Sequence, residues 1–230
     1  MRYAVVVFPG SNCDADAWHA IDYLGHSVRY VWHGDRELPE VDCVIVPGGF
    51  SYGDYLRPGS IARFSPLMES VVVHAEAGGL VLGICNGFQI LTEIGLLPGA
   101  LLQNDNLQFR CQWQWLKVEN SSTIYTRRLG RDRLCLPIAH GDGRLELPAG
   151  ALAELESEGR VVFRYCDSDG NVSPDSNPNG TPGNVAGIIN RKGNVLGMMP
   201  HPERAVEAVL GGTDGARFFT ALHREWEALQ

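Results

Sequence analysis

The stretch Gly78-Gly-Leu-Val-Leu-Gly-Ile-Cys-Asn-Gly-Phe-Gln-Ile-Leu91 constrains the fold more than any other part of the chain. Leu80 to Ile84 reads as a buried strand, and Phe88, Ile90, Leu91 and Ile94 recur at helical spacing directly afterwards. Cys85 lies where the two patterns meet. Turning a strand into a helix at once requires a sharp, strained turn and small residues where the two segments cross. Gly83 and Gly87 flank the cysteine at two-residue spacing. This is the sequence form of a nucleophile elbow, with sulfur in place of the hydrolase oxygen. A helix beginning there aims its first N–H groups at the sulfur, which favours thiolate and lowers a free thiol pKa from about 8.5. The same residues also suit a buried structural thiol, since free cysteine is among the most buried residue types.

Around the elbow, strand-like and helix-like segments alternate. Strands are expected over Tyr3–Phe8, Ser27–Trp32 and Asp42–Val46, with helices over Asp14–Leu24 and Ile61–Ala77. On the first helix, Ala17, Trp18, Ile21 and Leu24 form the apolar side. Continuous Val/Ile strands bordered by helices predict an α/β fold: a mostly parallel, flavodoxin-like sheet with helices on both faces. From Leu101 to Tyr165 the strands over 109–118, 134–139 and 160–165 lack long intervening helices, which predicts a smaller antiparallel portion. Asp167 to Asn184 is a long loop by composition, of the kind that is often functional or mobile. Val185–Asn190 and Val195–Met199 frame a β-hairpin, and Asp214–Leu229 an amphipathic helix with Phe218, Leu222 and Trp226 inward. With no repeat and no linker, residues 1–230 are expected to form one domain.

Charge and cysteine usage exclude several classes. A formal charge of −8 argues against a nucleic-acid partner, which needs clustered Lys and Arg. The cysteines at 13, 43, 85, 111, 135 and 166 form no C-x-x-C pair, so no zinc site or thioredoxin motif is indicated. Their wide spacing fits reduced thiols. No signal peptide or apolar run of membrane-spanning length is present, so a soluble, cytoplasmic protein is expected.

A thiol nucleophile needs a base, and the base an orienting partner. His19, His26, His74 and His223 fall where surface or packing roles suffice, and nothing near His33 supports a catalytic one. His140, in the turn Ala139-His-Gly-Asp-Gly143, fits a turn or a site wall equally. His201 stands apart. In Met199-Pro-His-Pro-Glu-Arg204, the prolines make a stiff, non-helical presentation. Extended geometry would turn His201 and Glu203 to the same side, so the carboxylate holds one ring nitrogen while the other faces a thiol. An exposed exit from the sheet is the simpler reading of those residues alone; beside a cysteine elbow the catalytic one is stronger. Pro47-Gly48-Gly49-Phe50 follows a neighbouring strand, and its consecutive glycines let backbone N–H groups approach an oxyanion closely. In elbow hydrolases the second donor is the N–H after the nucleophile, here Asn86. No Walker or G-x-G-x-x-G pattern occurs.

Pro47-Gly-Gly49, Gly83-x-Cys85-x-Gly87-x-Gln89 and His201-Pro-Glu203, in this order, resemble the triad-type (class I) glutamine amidotransferases. The resemblance covers essentially the whole chain. Finer segments, Phe8 to Asp14, Gly48 to Gly59, Gly83 to Gln89 and Met198 to Arg204, are similar to the branch that serves an amidine-forming step of purine synthesis. Asp142 is one departure, standing where that branch carries the longer Glu.

The resemblance implies glutaminase chemistry: Cys85 as nucleophile, His201 as acid and base, Glu203 as its orienter, and an oxyanion hole at Gly49 and Asn86. Gln89 is the implied glutamine-holding side chain, with Phe109 and His140 as lesser wall candidates. It also implies no metal or cofactor on this chain. Ammonia would pass to a large synthetase subunit that uses ATP and magnesium on formylglycinamide ribonucleotide, with a small third subunit bridging the two. Activity in isolation would be low, and the 50–59 and 167–184 loops are candidate contact surfaces. A cysteine hydrolase or protease of related elbow fold, and a non-catalytic regulatory subunit, are the alternatives.

Overall fold

The computed structural model describes all residues from Met1 to Gln230. The buried run after the N-terminus forms β1 (Arg2–Val7), followed by α1 (Asp14–Tyr23), β2 (Ser27–Trp32) and β3 (Cys43–Val46). The predicted helix over 61–77 is divided. Pro66 forces Ser65 into extended geometry, so a short 3-10 turn at Ala62–Phe64 stops before α2 (Pro66–Glu76) begins. The elbow follows as β4 (Leu80–Ile84) and α3 (Asn86–Glu93).

The second half contributes β5 (Ala100–Leu102), β6 (Arg110–Val118), β7 (Arg133–His140) and β8 (Arg144–Glu146). Then come α4 (Ala151–Ser157), β9 (Val161–Cys166), the hairpin β10 (Val185–Ile189) and β11 (Val195–Met198), and α5 (Asp214–Ala228). The two-turn α4 was not anticipated: it is short and only Leu155 is buried in it, leaving little apolar periodicity to detect.

One sheet of nine strands runs β2-β1-β3-β4-β11-β10-β9-β6-β7. Its first five strands are mutually parallel, and every pairing from β11 onward is antiparallel. The antiparallel portion therefore extends the parallel sheet. A separate two-stranded sheet pairs β5 with β8. Burial explains the strand composition: all of β3, β4, β10 and β11 is buried, and their residues other than glycine belong to one apolar cluster of 55 residues. On α1 the buried residues are Ala17, Ala20 and Ile21, while Trp18 and Leu24 are half-buried. Phe218 and Leu222 of α5 are fully buried and Trp226 packs at the margin.

The 167–184 loop is closely tied to the core. Asn179 is fully buried and donates to the Gly143 carbonyl at 2.7 Å, and Asn184 donates to the carbonyls of Tyr165 and Ser173 at 3.1 and 2.8 Å. Its polar residues satisfy backbone groups that a loop without regular structure leaves open. All six cysteines are free thiols. No helix is long and apolar enough to cross a membrane.

Candidate active site

The carboxyl ends of parallel strands in an open α/β sheet are where loops gather and ligands bind. Here β3 ends at Gly48-Gly49, β4 at Cys85 and β11 shortly before His201. Cys85 has φ +49° and ψ −106°, a conformation an ordinary side chain adopts only under constraint. The constraint is packing. A Cβ at Gly83 would lie 2.5 Å from Leu91 and 2.8 Å from the Gly87 carbonyl oxygen, and one at Gly87 would collide with the Val46 carbonyl. Strand and helix can cross at this distance only with glycine on both sides of the cysteine.

His201 is fixed at its backbone by donating to the Pro137 carbonyl of β7 at 2.8 Å. Its side chain is buried, and Nδ1 stands 2.6 Å from Glu203 Oε1. The two meet by a route different from the expected extended segment: Pro202–Arg204 is a 3-10 turn, and that turn brings the carboxylate back to the ring. Burial lowers the His201 pKa, but the Glu203 charge, followed by the Cys85 and Cys13 thiols, outweighs it. The net result holds the imidazole proton well above its ordinary range.

Cys85 and His201 adjoin across Gly48, where a Cβ would stand 2.8 Å from His201 Cε1 and 3.4 Å from Cys85 Cβ. The Cys85 sulfur donates to the Ala139 carbonyl at 3.6 Å, and His201 Nε2 is buried without a hydrogen-bond partner. Cys85, His201 and the Cys13 sulfur, which lies 3.2 Å from the same point, thus gather around the space that Gly48 leaves open.

Gly49 has φ +124°, and a Cβ there would lie 2.5 Å from the Asn12 backbone nitrogen. Asn86 begins α3 directly after the sulfur. Its Oδ1 accepts from the Ser51 N–H at 3.1 Å and the Ser51 hydroxyl at 2.5 Å, which ties the loop after β3 to the elbow. Gln89 is buried and spans the wall, accepting from Asn86 Nδ2 at 2.8 Å and donating to the Asp142 carbonyl at 2.7 Å.

His140 is buried, with Nδ1 3.1 Å from Asn104 Oδ1 and Nε2 without a partner. Burial, helped by the His201 charge, pushes its pKa down to about 4, so it stands neutral in the wall. Phe109 is 54% exposed and lies just before β6, against the Gly141 turn.

A cavity of about 680 Å³ opens in front of this wall, lined in part by Asp54, Arg57, Asn104, Asp142 and Arg144. Asp54 Oδ1 accepts from Asn86 at 3.4 Å, and burial and then the neighbouring Asp142 raise its pKa to about 6. Asp54, Asn104 and Arg144 were not singled out from sequence. Each carries an ordinary surface or turn residue type, and only folding brings them to the elbow. The same holds for Cys13, whose sulfur lies within 4.8 Å of a ring nitrogen of His201.

Residues 1–214 match the CobB/CobQ-like glutamine amidotransferase domain family. Over 229 residues the chain is 57% identical to phosphoribosylformylglycinamidine synthase subunit PurQ of Moorella thermoacetica, covering 99% of this chain and 97% of that protein. The PurQ subunit of Salinibacter ruber is 52% identical over 223 residues, 96% of this chain and 95% of that one. Among solved structures, PurLQS from Thermotoga maritima superposes with a TM-score of 0.86 at 44% identity, covering 97% of each chain. The chain belongs to the glutamine amidotransferase family, in the branch of the PurQ glutaminase subunits.

Proposed function

We propose that this chain hydrolyses L-glutamine at Cys85, His201 and Glu203 and delivers the ammonia to a synthetase subunit. The buried 2.6 Å contact between His201 and Glu203, beside a strained cysteine, carries the reading. The Cys85 thiolate attacks the side-chain amide carbon, and the carbonyl oxygen takes up the negative charge. Backbone N–H groups of Gly49 and Asn86 stabilise that oxyanion, an effect of roughly 3–4 kcal/mol per donor in comparable sites. His201 gives its proton to the departing nitrogen, and ammonia leaves. Water then attacks the γ-glutamyl thioester while His201 takes its proton; glutamate leaves and the sulfur is restored. Glu203 holds the ring and stabilises its charged form throughout.

The front cavity suits the amino-acid end of glutamine. Asp54 and Asp142 line it and offer negative charge to an ammonium group, and Arg144, whose buried Nε has no hydrogen-bond partner, offers a guanidinium to a carboxylate. Gln89 and His140 support this wall from behind, and Phe109 lies at its edge.

The relatives are named as subunits of phosphoribosylformylglycinamidine synthase, which supports formylglycinamide ribonucleotide, in purine biosynthesis, as the ammonia acceptor here. ATP and magnesium act on the synthetase subunit, and a small third subunit bridges the two. Residues 1–230 act as one glutaminase domain in the cytoplasm.

Incubation with a glutamine-like chloroketone, followed by peptide mapping, tests the nucleophile. An adduct at Cys85 that glutamine blocks supports the reading; modification spread over the other thiols counts against it. Cys85→Ser added to the synthetase subunit is expected to lose glutamine-dependent product and keep the reaction with ammonium salts. Turnover of esters with indifference to glutamine would favour the cysteine hydrolase instead.

A further inference from the structure

Cys13 caps the N-terminus of α1, and the hydrolysis of glutamine gives it no task. Its sulfur, one nitrogen of His201 and one carboxylate oxygen of Glu203 lie within 4.8 Å of one another. These residues are 3%, 1% and 2% exposed. Two buried atoms of the cluster, His201 Nε2 and Glu203 Oε2, have no hydrogen-bond partner. Arg204 donates to the Cys13 sulfur at 3.1 Å and to Asp16 at 2.9 Å. A second cavity, of about 470 Å³, reaches Glu203 and Arg204 and is otherwise lined in part by Asp16, His19 and Glu207. It shares no lining residue with the front cavity.

We propose that Cys13, His201 and Glu203 form an inhibitory site for a soft divalent cation of the zinc type, reached through this second cavity. A thiolate, an imidazole and one carboxylate select zinc or cobalt over magnesium or calcium, which require mostly oxygen. Zinc bonds of about 2.0–2.3 Å draw such donors closer than the 4.8 Å within which they now stand. Charge also closes. With Cys13 ionised and His201 neutral, the charges of Cys13, Glu203 and Asp16 balance the dication together with Arg204. Binding releases the thiol proton and any imidazolium proton to solvent, and no electrons move. The cation replaces a proton on the imidazole and leaves it unable to serve as acid or base. That occupancy inhibits rests on the catalytic reading of His201; that the cation binds does not.

Cobalt(II) titration of the full chain carrying Cys85→Ser reads the site without the nucleophile. Strong tetrahedral visible bands and a near-ultraviolet thiolate-to-cobalt band are expected, and adding Cys13→Ser abolishes both. Glu203→Gln in the same background weakens binding by roughly tenfold or more. Thermal melting verifies folding, and a Cys13→Ser chain that does not fold is replaced by Cys13→Ala, with the same loss required. Bands that survive removal of Cys13 place the metal on another thiol, such as the exposed Cys111, and overturn the proposal. Absence of bands in the Cys85→Ser chain overturns it too. In the assembled enzyme, zinc inhibition of glutamine hydrolysis shifts by about tenfold or more on Cys13→Ser; an unchanged inhibition constant removes the inhibitory role. Failure to hydrolyse glutamine at all would condemn the glutaminase reading and leave the cobalt result standing.

Discussion

His201 Nδ1 and Glu203 Oε1 stand 2.6 Å apart, and both side chains are 1% exposed. A pair buried this completely fixes both the orientation of the ring and the nitrogen that carries its proton. Glu203→Gln keeps the shape and removes the charge. It is expected to slow glutamine hydrolysis by roughly 10²–10⁴-fold, as loss of the orienting carboxylate does in other triads. Steady-state assays with the synthetase present measure this, and a loss under tenfold would remove Glu203 from the mechanism.

Gly48 keeps the space between Cys85 and His201 open. An alanine methyl there meets His201 Cε1 at 2.8 Å, and the ring must shift by several tenths of an ångström. Gly48→Ala is expected to lower the hydrolysis rate by about 10²-fold, the scale of a small misplacement of reacting groups. Its stability cost is that of overpacking, about 1–3 kcal/mol. Rate and denaturant midpoint measured together separate the two effects.

Asp54 provides a pH signature. Its folded pKa is raised to about 6, first by burial and then by Asp142, so the folded state binds its proton more tightly than the unfolded chain does. Its contribution is fully present below the unfolded value near 4 and is lost as pH rises through about 6. Asp54→Asn is therefore expected to melt higher than the parent at pH 8, by about 1 kcal/mol after solvent screening, with no advantage at pH 4. The KM for glutamine should rise in the same variant. Melting curves across pH check the sign, and an advantage confined to acid would refute it.

The tip after β3 displays apolar surface that the fold itself does not bury. Leu56 is 93% exposed and Tyr55 74%, and Tyr52, Asp54 and Leu56 all have positive φ. Such strain persists where surrounding structure or function requires it. If the tip meets the synthetase, Tyr55→Asp weakens assembly by about 2 kcal/mol, the scale of an interface aromatic, and leaves melting unchanged. Val172→Asp, on the well-anchored 167–184 loop, then serves as the control with no effect on assembly. Titration of the synthetase by calorimetry distinguishes the two loops.

The amino-acid sequence by itself determined the elements with strong periodicity and the residues held by backbone geometry. Continuous Val/Ile runs specified the buried strands, and Gly83 and Gly87 around Cys85 specified the elbow, because only glycine permits that crossing. His201 and Glu203 were legible because Pro200 and Pro202 flank the histidine and restrict the chain there. The tertiary structure decided what depends on approach between distant segments. It joined the antiparallel strands to the parallel sheet, since strand order follows from packing that no local pattern records. It closed the His201–Glu203 pair by a 3-10 turn where an extended segment was expected. It also brought Asp54, Asn104 and Cys13 to the site from loops of ordinary composition, because a side chain's environment is set by what folds against it.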